Sequence, residues 1–515
     1  MTTTHRLAQE DRGFLQAVTD AIFANPFSVE PQQLATLPGI DVQAAATRGL
    51  HAFEVLLPVL DRRLQELAAR GIDRLASVAE PDRDLLEHGF LFRAFERFRP
   101  DMDASIQAQI AAGAEPITVA YAERMTRELV QLGIAAERIG EYIGLLYQLR
   151  RAYYFIAEAL VGDSAPMRRL RHALWNNVFT TDLRRYTRHL AGRMEDFSLL
   201  LLGETGTGKG AAAAAIGQAG FIPFDAGRRR FAASFADTFH AINLSEFPET
   251  LIESELFGHR KGAFTGAVEQ HDGIFARCHR HGSLLLDEIG DVALPIQIKL
   301  LNVLQYRRYS RVGDHAPRRF EGRIIAATNR DIDALMRDGR FREDFFYRLS
   351  SDIIRVPPLR ERIDANPAEL EQLIGFIVAR LTGGEDAELV ERALATLRRR
   401  LPPRYEWPGN VRELEQAVRR VLISGEYAGR AASAAVEEHW LAQARSGSLT
   451  ADALLTAYCR MIYRRCGNFE EVARRTALDR RTVKKYIASA PTSPGSAAHV
   501  EDPIAPRGRR RPSAP

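Results

Sequence analysis

Seven consecutive residues, Gly203-Glu204-Thr205-Gly206-Thr207-Gly208-Lys209, have the composition of a phosphate cradle. Glycines let backbone N–H groups turn inward around phosphate oxygens. A following helix N-terminus adds a positive field, and Lys209 can reach the β- and γ-phosphates. The apolar run Phe197–Leu202 precedes the loop at strand length and an alanine-rich helical run follows it. Position 210 is Gly, where a Ser or Thr hydroxyl would usually reach Mg²⁺. The metal must then rely more on a carboxylate and water, and Gly210 costs the helix about 1 kcal/mol relative to Ala. Leu284-Leu285-Leu286-Asp287-Glu288 supplies that carboxylate. An apolar strand ending in two acids places Asp287 near Mg²⁺ and Glu288 where it can orient and deprotonate a water. Asn329 directly follows the run Arg323–Thr328; it could sense the γ-phosphate or the attacking water, and on its own it would be a turn or helix cap. Together these groups suit Mg²⁺-assisted hydrolysis of a nucleoside triphosphate.

The elements that must position these groups follow from pattern. Phe197–Leu202, Ser283–Leu286 and Arg323–Thr328 are strand-length apolar runs, each followed by polar or glycine-rich sequence. That is the pattern of a parallel α/β sheet with a ligand at its C-terminal edge. Before them, residues 1–165 read as all-α. Ile139, Tyr142, Ile143, Leu146, Leu149, Tyr153, Ile156 and Leu160 keep a three-to-four spacing and line one face of a long helix, and Leu56, Leu57, Leu60, Leu64 and Leu67 do the same around Pro58. Gly162-Asp163-Ser164-Ala165-Pro166 is a break. After the sheet comes a helical segment, about 367–430, then a short basic domain, 449–489, and a tail, 491–515, rich in Pro, Ser, Gly and Arg and expected to be disordered. At 515 residues, 46% hydrophobic and 26% charged, the chain is long enough for about three globular domains. A net charge of +4 excludes little by itself. The three cysteines, Cys278, Cys459 and Cys466, make no disulfide framework and no zinc motif. With no signal peptide and no apolar run of membrane length, a cytoplasmic protein is expected.

Several longer stretches carry a resemblance. Glu253–Ala267 (ESELFGHRKGAFTGA), the acids in LLLDEIGD, then AATNRD, FREDFFYRL and WPGNVRELE together resemble the central AAA+ domain of bacterial sigma-54-dependent activators, the enhancer-binding proteins. The resemblance runs over about 172–428, with the α/β part ending near 358 and a helical lid after it. It implies that Gly262, Ala263, Phe264, Thr265, Gly266 and Ala267 form a mobile loop whose Phe264 and Thr265 touch sigma-54. It implies that Asn243 pairs with Glu288 and restrains it, that Arg342 and Arg348 are arginine fingers acting on the neighbouring subunit's nucleotide, and that Arg412 contacts nucleotide from the lid. Because fingers act in trans, a homo-oligomeric ring, a hexamer as in the family, is implied. Three departures stand out. Gly210 replaces the family's usual Glu, the segment 220–239 is longer than usual, and LWNNVFTTDLRRYTRHL replaces the glycine-bearing stretch before the cradle strand, leaving the adenine contacts open.

Residues 467–486 read as helix, turn, helix, with Asp479 as cap and Arg480, Arg481, Thr482, Lys484 and Lys485 projecting from the second helix. Between 449 and 489 there are nine Lys or Arg against four Asp or Glu, an excess concentrated where a major-groove helix needs it. The segment resembles the Fis-type domain that ends many sigma-54 activators, with Ala477 at the usual turn glycine. The expected partners are therefore the sigma-54 RNA polymerase holoenzyme, upstream double-stranded DNA and further copies of the chain, and no membrane. The alternative is a DNA-binding AAA+ regulator in which ATP controls oligomerisation only. The signal read by the helical front, and whether that front represses or promotes assembly, have no mark in the sequence.

Overall fold

The computed structural model describes residues 4–28, 52–158, 160–402, 404–427, 444, 447 and 449–488. The chain divides into two compact units, Met1–Glu426 and Tyr427–Pro515.

The strands are β1 Leu199–Leu202, β2 Phe224–Asp225, β3 Arg230–Phe231, β4 Phe239–Asn243, β5 Ser283–Asp287, β6 Arg308–Tyr309, β7 Arg318–Arg319, β8 Arg323–Thr328 and β9 Asp352–Arg355, and the centre of the first unit is a parallel five-stranded sheet in the order β4-β5-β8-β1-β9. Near-continuous apolar runs are what a strand needs when both faces are covered. Leu199 and Leu201 pack with Leu285, Ile325, Ala327 and Ile354 in one core. Leu200 packs with Leu284, Leu286, Ile324 and Ala326 in another, the alternation of successive strand side chains. Register sets Asn243 beside Asp287 and Leu202 beside Thr328, so the polar residues that end these strands share one edge.

The front of the chain is helical among the described residues: α1 Gln9–Phe23, α2 Ala52–Ala69, α3 Glu80–Ala112, α4 Ala122–Gln131, α5 Ala136–Tyr153 and α6 Ala165–Phe179. Pro58 lies inside α2, which continues through it and buries Leu56, Leu60, Leu64 and Leu67. The run 139–160 is not one α-helix. α5 stops at Tyr153 and a π-turn, Tyr154–Glu158, follows; Ile156 and Leu160 remain buried. The break expected near residue 165 separates no cores. Buried residues from Leu7 to Val356 form one cluster, because α6 buries Leu170, Leu174, Trp175 and Val178 within it. The helical layer therefore covers one face of the sheet directly.

Between the strands lie α7 Lys209–Gly217, α8 Glu249–Phe257, α9 Leu294–Tyr306, α10 Ile332–Arg337 and α11 Glu343–Leu349, with a single helical turn at Ile274–Arg277; after β9 come α12 Leu359–Ala365, α13 Ala368–Thr382, α14 Ala387–Arg400 and α15 Asn410–Ser424, the helical lid. A buried ion pair ties this lid to the linker between the helical layer and α6. Arg362 Nε donates to Glu369 Oε1 at 2.5 Å, and both side chains are almost wholly buried. Glu369 Oε2 accepts from the Ser164 backbone at 3.0 Å, and Arg362 donates to the Val161 carbonyl at 2.7 Å. Gly162 is required here: its φ is +114°, and a Cβ would lie 2.1 Å from Glu369 Oε1.

The second unit contains α16 Ala451–Cys466, α17 Phe469–Thr476 and α18 Arg480–Ala488 around Cys459, Ile462, Val472 and Val483, with Ala473 and Leu478 against them. The tail 491–515 lies outside the described residues. Among the described residues no helix is long and apolar enough to cross a membrane.

Replacing Glu369 by Ala leaves the Arg362 guanidinium buried without its counter-charge and should destabilise the fold by about 3–5 kcal/mol. Urea unfolding measures this, and a loss below about 1 kcal/mol would show that water or another group replaces the carboxylate.

Candidate nucleotide site

The loop 203–208 leaves β1 and turns into α7, Lys209–Gly217. Gly206 and Gly208 have φ of +80° and +102°, conformations that cost a side chain energy. Gly206 is constrained a second way, because a Cβ there would sit 2.3 Å from the Gly409 carbonyl of the lid. Lys209 is 7% exposed and donates to the carbonyls of Gly203 at 2.8 Å and Glu204 at 3.2 Å. Burial pushes its pKa down, while Glu288 and Asp287 pull it back up, so the ammonium sits in the field of both acids. Nothing lies within 4 Å of where a Cβ on Gly210 would be; packing does not demand glycine there.

Asp287 ends β5, and its Oδ1 accepts from the Glu288 backbone at 3.0 Å. Glu288 itself is left-handed, at φ 55°, ψ 43°. Its Oε2 accepts from the Asn329 backbone at 3.4 Å, and Asn329 Nδ2 donates to Thr205 Oγ1 at 2.6 Å. Asn329 thus bridges the carboxylate and the cradle. Among the described residues no three His, Cys, Asp or Glu side chains converge as a metal cage. The donor set suits a Mg²⁺ that takes one protein carboxylate, Asp287, and its other oxygens from phosphates and water.

Asn243 stands beside Asp287 in the sheet, but the pairing with Glu288 implied by the resemblance is not made. β4 ends at Asn243 and a 3₁₀ turn, Leu244–Glu246, begins at once. The side chain caps that turn, accepting from Ser245 N at 3.1 Å and donating to Glu246 at 3.1 Å. Arg342 and Arg348 flank and end α11, Glu343–Leu349. Neither bonds to the cradle of its own chain. Arg342 is held by Asp344 at 2.8 and 3.0 Å, a hydrogen bond that raises its pKa. Arg348 is exposed and makes no ion pair among the described residues. Arg412 lies in the first turn of α15, its Cβ 3.0 Å from the Cβ that Gly206 lacks.

Two residues of the site carry no chemistry that a motif scan would mark. Asn410, 0% exposed, donates to Glu204 Oε2 and the Thr205 carbonyl at 3.1 Å each and accepts from Leu359 N at 2.8 Å. Arg360 pairs with Glu204 and holds that carboxyl below its ordinary range. Both clamp the lid onto the cradle. The motif WPGNVRELE contains Asn410, but its spacing alone says nothing of a buried amide. Beside the cradle lies a cleft of about 510 Å³ with apolar walls, including Leu170 and Ala173 of α6, Val356, Pro357 and Pro358.

The run Gly262–Ala267 is a tight hairpin. Gly262 N donates to the Ala267 carbonyl at 2.8 Å, and Ala267 N to that of Phe264 at 3.0 Å. Gly262 and Gly266 take φ of +81° and +104°. Phe264 is 39% exposed and meets the His259 ring edge-on at 4.9 Å. His259 is fixed by Ser254 at 2.7 Å and the Glu269 carbonyl at 3.0 Å. Thr265 is exposed at the tip.

In the second unit Asp479 caps α18 by accepting from Arg481 N at 2.9 Å and Thr482 N at 3.0 Å. Ala477 takes the left-handed conformation, φ 53°, at the end of α17. Arg480 pairs with Glu470 at 3.1 Å and Lys484 lies 5.7 Å over the Phe469 ring. Arg481 and Lys485 are exposed on the same helix.

With this geometry in place, the family model described as "Sigma-54 interaction domain" matches residues 178–355. The chain is 44% identical over 236 residues to the DNA-binding transcriptional regulator NtrC of Azospirillum brasilense, covering 45% of each chain. It is 34% identical over 321 residues to the regulatory protein AtoC of Escherichia coli, covering 60% of this chain and 64% of the other. It is 38% identical over 281 residues to the Nif-specific regulatory protein of Azotobacter vinelandii, covering 54% and 46%. The chain thus spans about half to two thirds of these relatives.

Asn410→Ala removes three hydrogen bonds that hold the lid on the cradle. A fluorescent ATP analogue should bind roughly tenfold more weakly, the effect of losing about 1–3 kcal/mol; unchanged affinity would mean that the clamp does not shape the site.

Proposed function

We propose, from the match of residues 178–355 to the sigma-54 interaction domain model, that this chain is a sigma-54-dependent transcriptional activator driven by ATP hydrolysis. The observation that carries the reading is the hairpin 262–267. It presents one aromatic ring and one hydroxyl, Phe264 and Thr265, on a base held by His259, within the same fold as a phosphate cradle.

ATP would lie along the C-terminal edge of the sheet, its phosphates in the loop 203–209 and its base in the apolar cleft between α6 and Pro357-Pro358. Mg²⁺, when bound, supplies positive charge at the β- and γ-phosphate oxygens, with Asp287 as its protein ligand. Lys209 adds charge to the same oxygens. Glu288 orients the water and takes its proton, and Asn329, touching both Glu288 and Thr205, carries the state of the γ-phosphate between them. Arg342 and Arg348 act on a neighbouring subunit's nucleotide, which makes a ring the active form, and Arg412 closes the lid. Asn243, capping its own turn, is free to exchange Glu246 for Glu288 during the cycle. Hydrolysis moves the hairpin against sigma-54 and remodels the closed promoter complex. The second unit binds upstream DNA through α18, with Arg481, Thr482 and Lys485 toward the major groove and Arg480 and Lys484 beside them.

Thr265→Ala should hydrolyse ATP yet fail to support open-complex formation at a sigma-54 promoter. Glu288→Ala should bind ATP and release no phosphate. Normal activation by the first, or undiminished phosphate release by the second, would falsify the corresponding assignment.

For the DNA-binding end, duplexes selected from a random pool by the full chain should be bound roughly tenfold more weakly after Arg481→Ala with Lys485→Ala. The ATPase rate should not change; equal gel-shift affinities would remove α18 from the interface.

A further inference from the structure

The segment between α7 and β4 is longer than the phosphate site requires, and its packing gives it a role. It forms a hairpin, β2 Phe224–Asp225 with β3 Arg230–Phe231, that is seated on the helical layer rather than on the sheet. Phe231 stacks on Tyr147 of α5 at 4.5 Å. Val119 N donates to the Arg229 carbonyl at 2.8 Å, Thr118 pairs with Arg230, and Arg229 meets Glu123 at 3.1 Å. Farther along, Ser234 Oγ donates to the Gly113 carbonyl at 2.6 Å. At Gly144 α5 and the hairpin lie directly against each other: a Cβ there would meet the Phe221 ring at 3.6 Å and Phe224 Cβ at 3.8 Å, ordinary contact distances.

At the base of the hairpin two buried side chains of α5 take the carbonyls just beyond α7. Gln148 Nε2 donates to the Ala219 carbonyl at 3.0 Å and to Tyr186 at 2.8 Å. Arg151 donates to the Gly220 carbonyl. Arg151 is 1% exposed, its Nε has no partner, and in place of a carboxylate it faces the rings of Tyr147 and Phe235 at 5.6 and 5.3 Å. Burial lowers its pKa to about 10. A methionine in this position would avoid the cost of burying a charge, so packing alone does not call for arginine. What the guanidinium adds is a directed grip on a carbonyl at the end of a helix.

That helix begins at Lys209 and is nine residues long, so its two ends are about 13 Å apart along a rigid rod. The other end of the hairpin runs into β4 and stops at Asn243, beside Asp287. We propose that Gln148 and Arg151 are positioning residues for the nucleotide site and that the hairpin 220–238 is the arm through which the helical layer sets the placement of Lys209. This rests on the nucleotide reading of the cradle. A change in the packing of α3, α4 or α5 is felt at the phosphates through α7, and nucleotide binding is felt in return at the hairpin, since coupling between sites is reciprocal.

The test uses the full chain with Gln148→Leu and Arg151→Met, which release the grip while keeping apolar volume. KM for MgATP should change at least fivefold, with the thermal unfolding midpoint near that of the parent, whereas Arg151→Lys, which can still donate to Gly220, stays close to the parent. Adding Gly144→Cys and Phe224→Cys to the released chain places two Cβ atoms 3.8 Å apart, within disulfide range. Oxidation should return KM toward the parent, and reductant should undo the return, while single-cysteine controls respond to neither. An unchanged KM in the released chain, or no return on oxidation, overturns the coupling. The same shifts are read in the dissociation constant of a fluorescent ATP analogue, so a chain that binds ATP without turnover overturns the hydrolysis reading and still judges the arm.

Discussion

The structure depends on a sheet that has no face to spare. Each of the strands from Leu199 to Leu202, Ser283 to Asp287 and Arg323 to Thr328 is buried on both sides, with alternate residues committed to two different cores. Shifting any of them by one residue would exchange those commitments completely. The register is therefore rigid, and it fixes which residues emerge together at the C-terminal edge: the cradle from β1, Asp287 and Glu288 from β5, Asn329 after β8. Because one of the two cores is supplied by the helical front, the same constraint makes that front part of the fold that holds the nucleotide site.

Much of this was legible in the chain. Apolar runs of strand length ending in glycine or acid announce parallel strands and a ligand edge, because only double-sided burial produces them. The cradle and the acids after Leu286 are local motifs, readable without knowing what packs on them. The hairpin 224–231 was visible only as extra length. Its strands are two residues each, too short for any alternation, and its partners lie far off in sequence, on α5 and on the stretch from Gly113 to Glu123. The π-turn after Tyr153 escaped for a related reason: it preserves the burial of Ile156 and Leu160, so the apolar spacing looks helical throughout.

Among site residues, the groups assigned to phosphate are typed by their chemistry, whereas the groups that hold the lid are typed by burial. Asn410 is an ordinary amide in sequence and the pivot between Glu204, Thr205 and Leu359 in space. Asn243 shows the converse. Its position in the motif was right for the edge of the sheet, but a strand that stops there needs a cap, and the nearer demand takes the side chain.

Glu288 gives the site a different kind of significance. A non-glycine residue held at φ 55° stores about 1–3 kcal/mol that the surrounding sheet must sustain. Glycine would occupy the same backbone without that strain but would remove the carboxylate to which the proposed hydrolysis assigns the water's proton. In the proposed role of Glu288, backbone ease and proton transfer make opposite demands on this one position.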